Sequence, residues 1–384
     1  MTLTPTQMLE RLVAFPTVSS RSNLELMAFV KDTLAQCGVT ATLLPDPSGE
    51  KANLYATVGP MVEGGVVLSG HTDVVPAEED TWSAGPWALT RRDGRLYGRG
   101  ACDMKGFDAL VLAAVPAMVA AGLAVPIHIA LSYDEEVGCR GAPPLIAAMK
   151  AALPAPRAVI VGEPTRMRPV GGHKGSFSFH THVTGHAVHS SRIDIGVSAV
   201  MTAARLITWL EDRMAANARA ADPASPFVPP YTTIHCGMIQ GGTAANIVSD
   251  RCRFVTDMRV VPPEDPEVIL AEYERHIREV IEPEMKRKHA GAGVRIERRS
   301  DVAPLMPDPG GGAEALFAAL GVGEAPAAVS YGTEAGLFQR AGWPAMVCGP
   351  GDIAQAHQAD EYLEESELAK GERFIARLIA HLAA

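Results

Sequence analysis

Short, nearly continuous apolar runs alternate with longer segments whose apolar residues recur at helical spacing. Residues 53–58, 66–69, 126–133 and 158–161 read as strands, since brief, mostly apolar runs suit strands buried on both faces. Residues 22–37, 105–121 and 142–151 read as helices. At the start, Thr4 followed by Pro5 gives an N-cap and a first helical position. Gly38 and Gly122 stand where two of the helices should stop. The alternation predicts an α/β domain with a mixed, largely parallel sheet.

Near Gly175 the pattern changes. Residues 176–183 alternate polar and apolar positions, as a half-exposed strand does. A helix follows at 196–216, then alternating strands at 232–239 and 248–260, a charged helix at 266–289 and a strand at 294–299. This β-α-β-β-α-β order is that of a split βαβ sandwich, α+β in class. After Asp301 the α/β pattern resumes at 327–331, 334–340 and 345–348. The expected organisation is therefore one domain of 1–175 and 302–384, with a second domain of 176–301 inserted into it. The Pro-rich stretch 223–230 is a loop inside the insertion.

Length agrees with this division, because 384 residues exceed what one ordinary core holds. Hydrophobic residues make up 47% and charged residues 20%, the balance of a globular chain. With 34 basic and 44 acidic side chains the net charge is −10. That field repels nucleic acid and anionic membranes and weakly favours a cationic small substrate. The N-terminus has no charged segment followed by an apolar one, and no apolar stretch is long enough to span a bilayer. The expectation is a cytoplasmic protein with neither nucleic acid nor membrane as partner. Six scattered cysteines without a Cys-x-x-Cys pair read as reduced thiols.

Five short segments carry candidate chemistry. Strand 66–69 runs into Gly70-His71-Thr72-Asp73, where ligands collect in open α/β sheets. A carboxylate two residues from a His is a common way to orient a metal ligand, although a surface His at a strand end is the plainer reading. Asp103 stands in the Gly-rich turn 98–106 before a helix, where it is either an N-cap or a carboxylate shared by two cations. Asp134-Glu135-Glu136 comes directly after an apolar strand. Three adjacent carboxylates repel one another unless a cation neutralises them, or unless they form a solvated loop. Gly162-Glu163-Pro164-Thr165 and Gln355-Ala356-His357-Gln358 complete the set. Singly each is weak. Jointly, two His and three carboxylates past strand ends or in Gly-rich loops suit two Zn²⁺ or similar ions with a shared carboxylate. A spare Glu beside them supplies a general base.

Gly70-His71-Thr72-Asp73-Val74-Val75-Pro76, the turn 98–106, Asp134-Glu135-Glu136 and Gly162-Glu163-Pro164-Thr165 resemble the dinuclear zinc aminoacylase, carboxypeptidase and desuccinylase family over nearly the whole chain. The resemblance implies a zinc-peptidase-like catalytic domain with an inserted lid and dimerisation domain, hence a homodimer. It implies two Zn²⁺ per subunit, with Co²⁺ possible. His71 and Glu163 hold one ion, Glu136 and His357 the other, and Asp103 bridges them. Asp73 orients His71, Glu135 is the catalytic base, and a cis peptide falls at Asp103–Met104. In the inserted domain, Gly185-His186-Ala187-Val188-His189-Ser190-Ser191 resembles a lid motif whose His reaches the neighbouring subunit's site. His189 is the assigned residue and His186 the competing one. Asn246 and Arg259 match lid residues that hold a substrate carboxylate, a task for which the Arg fork is suited.

Within the family, segments 170–175, 330–336 and 348–363 narrow the match to members that deacetylate N-acetyl-L-ornithine. Gly332, Thr333 and Glu334 are then substrate-binding, with Glu334 set against the distal ammonium. Another N-acyl amino acid, a succinylated one or a small peptide is the alternative substrate. A non-catalytic binding protein on the same fold is the remote one.

Overall fold

In the computed structural model residues 3–383 are described. Met1, Thr2 and Ala384, at the outer ends of the segments 1–175 and 302–384, lie outside the described residues. The first helix, Pro5–Val13, begins where Thr4 and Pro5 imply. The Thr4 side chain accepts from the Gln7 N–H, and the Gln7 side chain accepts from the Thr4 N–H. Each thereby satisfies a donor the helix end leaves open. Helices Leu24–Gln36, Lys105–Ala120 and Ala142–Ala152 come next.

The strands in chain order are β1 Ala41–Pro45, β2 Ala52–Val58, β3 Val66–His71, β4 Thr90–Arg92, β5 Arg95–Tyr97, β6 Ile127–Ser132, β7 Ala158–Pro164, β8 Val170–His173, β9 Gly175–Thr184, β10 Thr233–Gly241, β11 Arg251–Val260, β12 Gly293–Val302, β13 Ala327–Val329, β14 Ala345–Gly349 and β15 Tyr362–Glu364. The chain divides into two compact units. One is Met1–Gly172 with Leu305–Ala328 and Thr333–Ala384, and the other is His173–Pro304 with Val329–Gly332.

The first unit is built on an eight-stranded sheet of order β1-β2-β6-β3-β7-β14-β8-β13. Its centre is parallel, through the pairs β6·β3, β3·β7 and β7·β14. Antiparallel pairs β1·β2, β2·β6 and β14·β8 flank it. Strands β3, β6 and β7 are buried along their whole length, which explains why they are mostly apolar. Their register sets His71 opposite Ser132 and Ser69 opposite Val161, so the three strands reach the carboxyl edge together. Helix Lys105–Ala120 packs close behind. A Cβ on Gly70 would lie 2.0 Å from Asp108 Oδ1, so only glycine allows this approach. A small sheet of order β15-β5-β4 lies in the same unit.

The second unit is a four-stranded antiparallel sheet of order β10-β11-β9-β12 with a core of Phe177, Phe179, Leu206, Phe254, Met258 and Tyr273. Its β-α-β-β-α-β order is the one read from the periodicity. The helix expected over 266–289 is interrupted: Pro266–His276 and Glu282–Lys288 flank a π-helical turn, Ile277–Ile281. Pro283 lacks the N–H that would continue the regular ladder, and one wide turn absorbs the mismatch. Among the described residues no helix is long and apolar enough to cross a membrane.

Candidate metal centre

The common end of β3, β6 and β7 sets His71, Glu135, Glu136 and Glu163 side by side. Asp103, just before helix Lys105–Ala120, and His357, past β14, join them. Asp103 turns one oxygen toward each imidazole. Its Oδ1 lies 3.0 Å from His71 Nε2 and its Oδ2 3.2 Å from His357 Nε2. Glu163 Oε1 is 3.7 Å from His71 Nε2, and Glu136 Oε2 is 2.9 Å from His357 Nε2. Donor atoms of His71, Asp103 and Glu136 lie within 4.8 Å of one another, as do those of His71, Glu135 and Glu163. The peptide Asp103–Met104 is cis.

The electrostatics arise from crowding acids in a buried place. Burial, aided by neighbouring carboxylates, pushes Glu163 well above the usual carboxylate range, raises Glu136, and lifts Glu135 to about 8. Burial opposes the charged form of Asp103 too, but hydrogen bonds from His357 and His71 reverse this and hold it well below its ordinary value. Desolvation likewise works against a charged His71, yet Asp103 and the surrounding carboxylates raise its proton affinity well above normal. Hydrogen bonds to Asp103 and Glu136 raise His357 to about 10.

Four acids around two imidazoles neutralise one another only by retaining protons. Two divalent cations would displace those protons and meet neutral imidazole and ionised carboxylate, the forms that bind metal. The donor set fits a pair of cations. His71, Asp103 and Glu163 suit one, and His357, Asp103 and Glu136 the other.

Several placements differ from the sequence reading. The Asp73 carboxylate was expected to orient His71, but it lies 3.7 Å from Nδ1, which instead meets the Asp73 backbone carbonyl at 2.9 Å. The carboxylate accepts from the Glu135 N–H at 3.0 Å, the Glu136 N–H at 3.3 Å and the Ser19 hydroxyl at 2.7 Å. Asp73 thus sets His71 through its carbonyl and both glutamates through its carboxylate.

Glu334, expected beside the substrate, is 1% exposed. It accepts from the hydroxyls of Ser69, at 3.3 Å, and Ser132. Burial lifts its carboxyl to about 7. Thr333 is buried, and its hydroxyl accepts from the Ala335 N–H. Gly332 is half-buried.

Three residues near the centre had no assigned role in the sequence. Glu361 accepts from the N–H groups of Gly100, Cys102 and Asp103 at 2.9–3.0 Å, and pairs with Arg99 at 2.6 Å. It thereby fixes the turn that presents Asp103. The Cys139 thiol donates to Glu135 Oε1 at 3.2 Å. Lys51 pairs with Asp134, which adopts φ +56° where the chain turns from β6 into Glu135.

In the second unit His189 is exposed, with Nδ1 2.8 Å from Ser191 Oγ. The Ser190 N–H donates to the Asn246 carbonyl, so the His189 and Asn246 loops adjoin. His186, the competing choice, stacks on His289 with ring centroids 4.0 Å apart. Arg259 lies exposed on β11 and pairs with Asp257 at 3.0 Å.

Comparison with known proteins bears on the family and the fold. Residues 67–381 match the model of peptidase family M20/M25/M40. A Myxococcus xanthus protein named acetylornithine deacetylase is 39% identical over 97% of this chain and 96% of its own length. A Yersinia pseudotuberculosis protein of the same name is 34% identical over 96% and 95%. Among solved structures, an M20 family metallo-carboxypeptidase from Sulfolobus solfataricus has the same fold at TM-score 0.77 and 19% identity, with 98% of each chain covered. A dinuclear metal binding M20 peptidase from Bacillus subtilis does so at TM-score 0.66 and 17% identity, covering 99% of this chain and 97% of its own. A family model spanning most of the sequence, and relatives aligned almost end to end, place the chain in the M20/M25/M40 peptidase family.

Proposed function

We propose that this chain is a hydrolase that converts N-acetyl-L-ornithine into L-ornithine and acetate, a step of arginine biosynthesis, in the cytoplasm. The near full-length identity to proteins named acetylornithine deacetylase carries the substrate assignment. The cofactor in this reading is a pair of divalent cations, Zn²⁺ or Co²⁺, held by His71, Asp103, Glu136, Glu163 and His357. What supports it is the carboxylate of Asp103 facing both imidazoles. When bound, the cations act as Lewis acids toward the acyl carbonyl and make the attacking water more acidic.

The chain's own groups do the rest. Glu135, half-buried in the turn after β6, accepts a proton from the attacking water and returns it to the departing amine. Its backbone is held by Asp73 and its side chain by Cys139. His189 donates to the oxyanion from a neighbouring subunit. Asn246 and Arg259 hold the substrate's α-carboxylate, Arg259 by exchanging Asp257 for it. In this reading 176–301 is the lid and dimerisation domain, and 1–175 with 302–384 is the catalytic domain.

The test is a panel of N-acetylated and N-succinylated amino acids and dipeptides, assayed with added Zn²⁺ or Co²⁺. N-acetyl-L-ornithine should have the highest kcat/KM. A tenfold preference for a succinylated substrate or a dipeptide would reassign the function within the family.

A further inference from the structure

We infer that Glu334 is a positioning residue that braces the strand ends presenting His71 and Glu135, without contacting the substrate. The inference rests on reading the carboxylate and imidazole cluster as the reacting centre. Glu334 opens the short helix Ala335–Arg340 and is 1% exposed. Its Oε2 accepts from Ser69 and its Oε1 from Ser132. Ser69 lies on β3 two residues before His71. Ser132 closes β6 three residues before Glu135. These two strands are parallel neighbours, with His71 opposite Ser132. One carboxylate therefore spans both strands at the level where the backbone leaves the sheet and enters the centre.

Both serine hydroxyls are fully buried, and Glu334 is the acceptor for each. Removing it leaves two buried donors to find new partners, which they do by shifting. A shift of Ser69 moves His71, and a shift of Ser132 moves the turn that carries Glu135 and Glu136. Because the same turn is tied to the Asp73 carboxylate, the displacement passes to the β3 end as well. Groups that orient metal ligands in this indirect way typically change metal affinity or activity about 10–100-fold when removed.

Purified full-length Glu334→Gln, Glu334→Ala and the Ser69→Ala/Ser132→Ala pair separate this role from substrate contact. The readouts are kcat and KM for N-acetyl-L-ornithine and N-acetyl-L-leucine, and the Zn²⁺ retained after dialysis against a chelator. Gln matches Glu in size, accepts from one hydroxyl and donates to the other. It should keep kcat within about threefold and the ratio of the two KM values unchanged. Ala should lower kcat about 10–100-fold, leave KM within about twofold and weaken Zn²⁺ retention. The serine pair should reproduce the Ala variant, and adding Glu334→Ala to that pair should cost nothing further.

Two results overturn the proposal. One is an Ala variant with kcat and Zn²⁺ retention within about twofold of the parent. The other is a Gln variant that raises KM for acetylornithine at least tenfold and spares acetyl-leucine, which would put the carboxylate against the distal ammonium. If the Ala variant fails to fold, the Gln variant and the serine pair decide. Zn²⁺ retention reports the brace even if neither substrate is turned over, so failure of the substrate assignment and failure of the brace are told apart.

Discussion

Glu361 holds Asp103 in place, and Glu361→Gln should both destabilise the chain and release the carboxylate shared by the two halves of the centre. Its Oε1 accepts from the N–H groups of Cys102 and Asp103 at 2.9 and 3.0 Å. Its Oε2 accepts from the Gly100 N–H at 3.0 Å and from the Arg99 guanidinium at 2.6 Å. Gln turns one of these oxygens into an amino group facing donors from which it cannot accept. If the amino group takes the Oε2 side, Arg99, 3% exposed, loses its charged partner. Breaking a buried pair from one side costs about 3–5 kcal/mol. If it takes the Oε1 side, two hydrogen bonds to a charged group are lost, at about 1.5–3 kcal/mol each. Either orientation gives a loss of about 3 kcal/mol or more. Denaturant unfolding followed by tryptophan fluorescence reads it, since Trp82 lies beneath the Arg99 guanidinium, 5.1 Å from the ring centroid. Zn²⁺ retention should fall in parallel, and adding Arg99→Met should recover part of the stability by removing the unpaired charge. A Glu361→Gln chain within about 1 kcal/mol of the parent, with unchanged Zn²⁺ retention, would refute this role for Glu361 in the Asp103 turn.

Glu135→Ala should keep both metal ions and lose about 10²–10⁴-fold in kcat, since it removes only the base; substantial retained turnover would reject that role. His189→Ala should lower kcat without releasing metal, and mixing it with the Glu135→Ala chain should restore activity in mixed dimers. Absence of rescue would remove the sharing across subunits. Burial pushes His128 and His173 down to about 4. Their folded values lie below the unfolded one of about 6.5, so their neutral forms support stability fully above pH ~6.5. That contribution is lost as pH falls from ~6.5 toward ~4. His128→Gln should flatten this acid limb in a denaturation series, and an unchanged slope would contradict the assignment.

The local signals in the sequence were enough to locate the strands that carry the centre. Runs such as 66–69 and 158–161 are apolar because both their faces are buried, and the residues just past their carboxyl ends therefore collect at one sheet edge. The short edge strand β1 and the small strands β4, β5 and β15 have too few residues for a period to show. Helices Gly312–Ala319 and Glu365–Leu382 were not separated from the α/β background. The support of the centre was illegible for a different reason. Glu361 and Asp103 are 258 residues apart, and Glu334 and Ser132 are 202 apart. No spacing rule links such pairs. Asp73 shows the same limit at short range: its nearness to His71 suggested a carboxylate–imidazole bond, whereas the fold turns the carboxylate to the backbone of Glu135 and Glu136.

Metal titration of the chelator-stripped chain tests the paired-cation centre most directly. Two Zn²⁺ should bind per chain, one should remain after His357→Ala, and both should weaken after Asp103→Ala. Binding of one ion or none by the parent chain, or of two undiminished by the Asp103→Ala variant, would contradict a centre shared through Asp103.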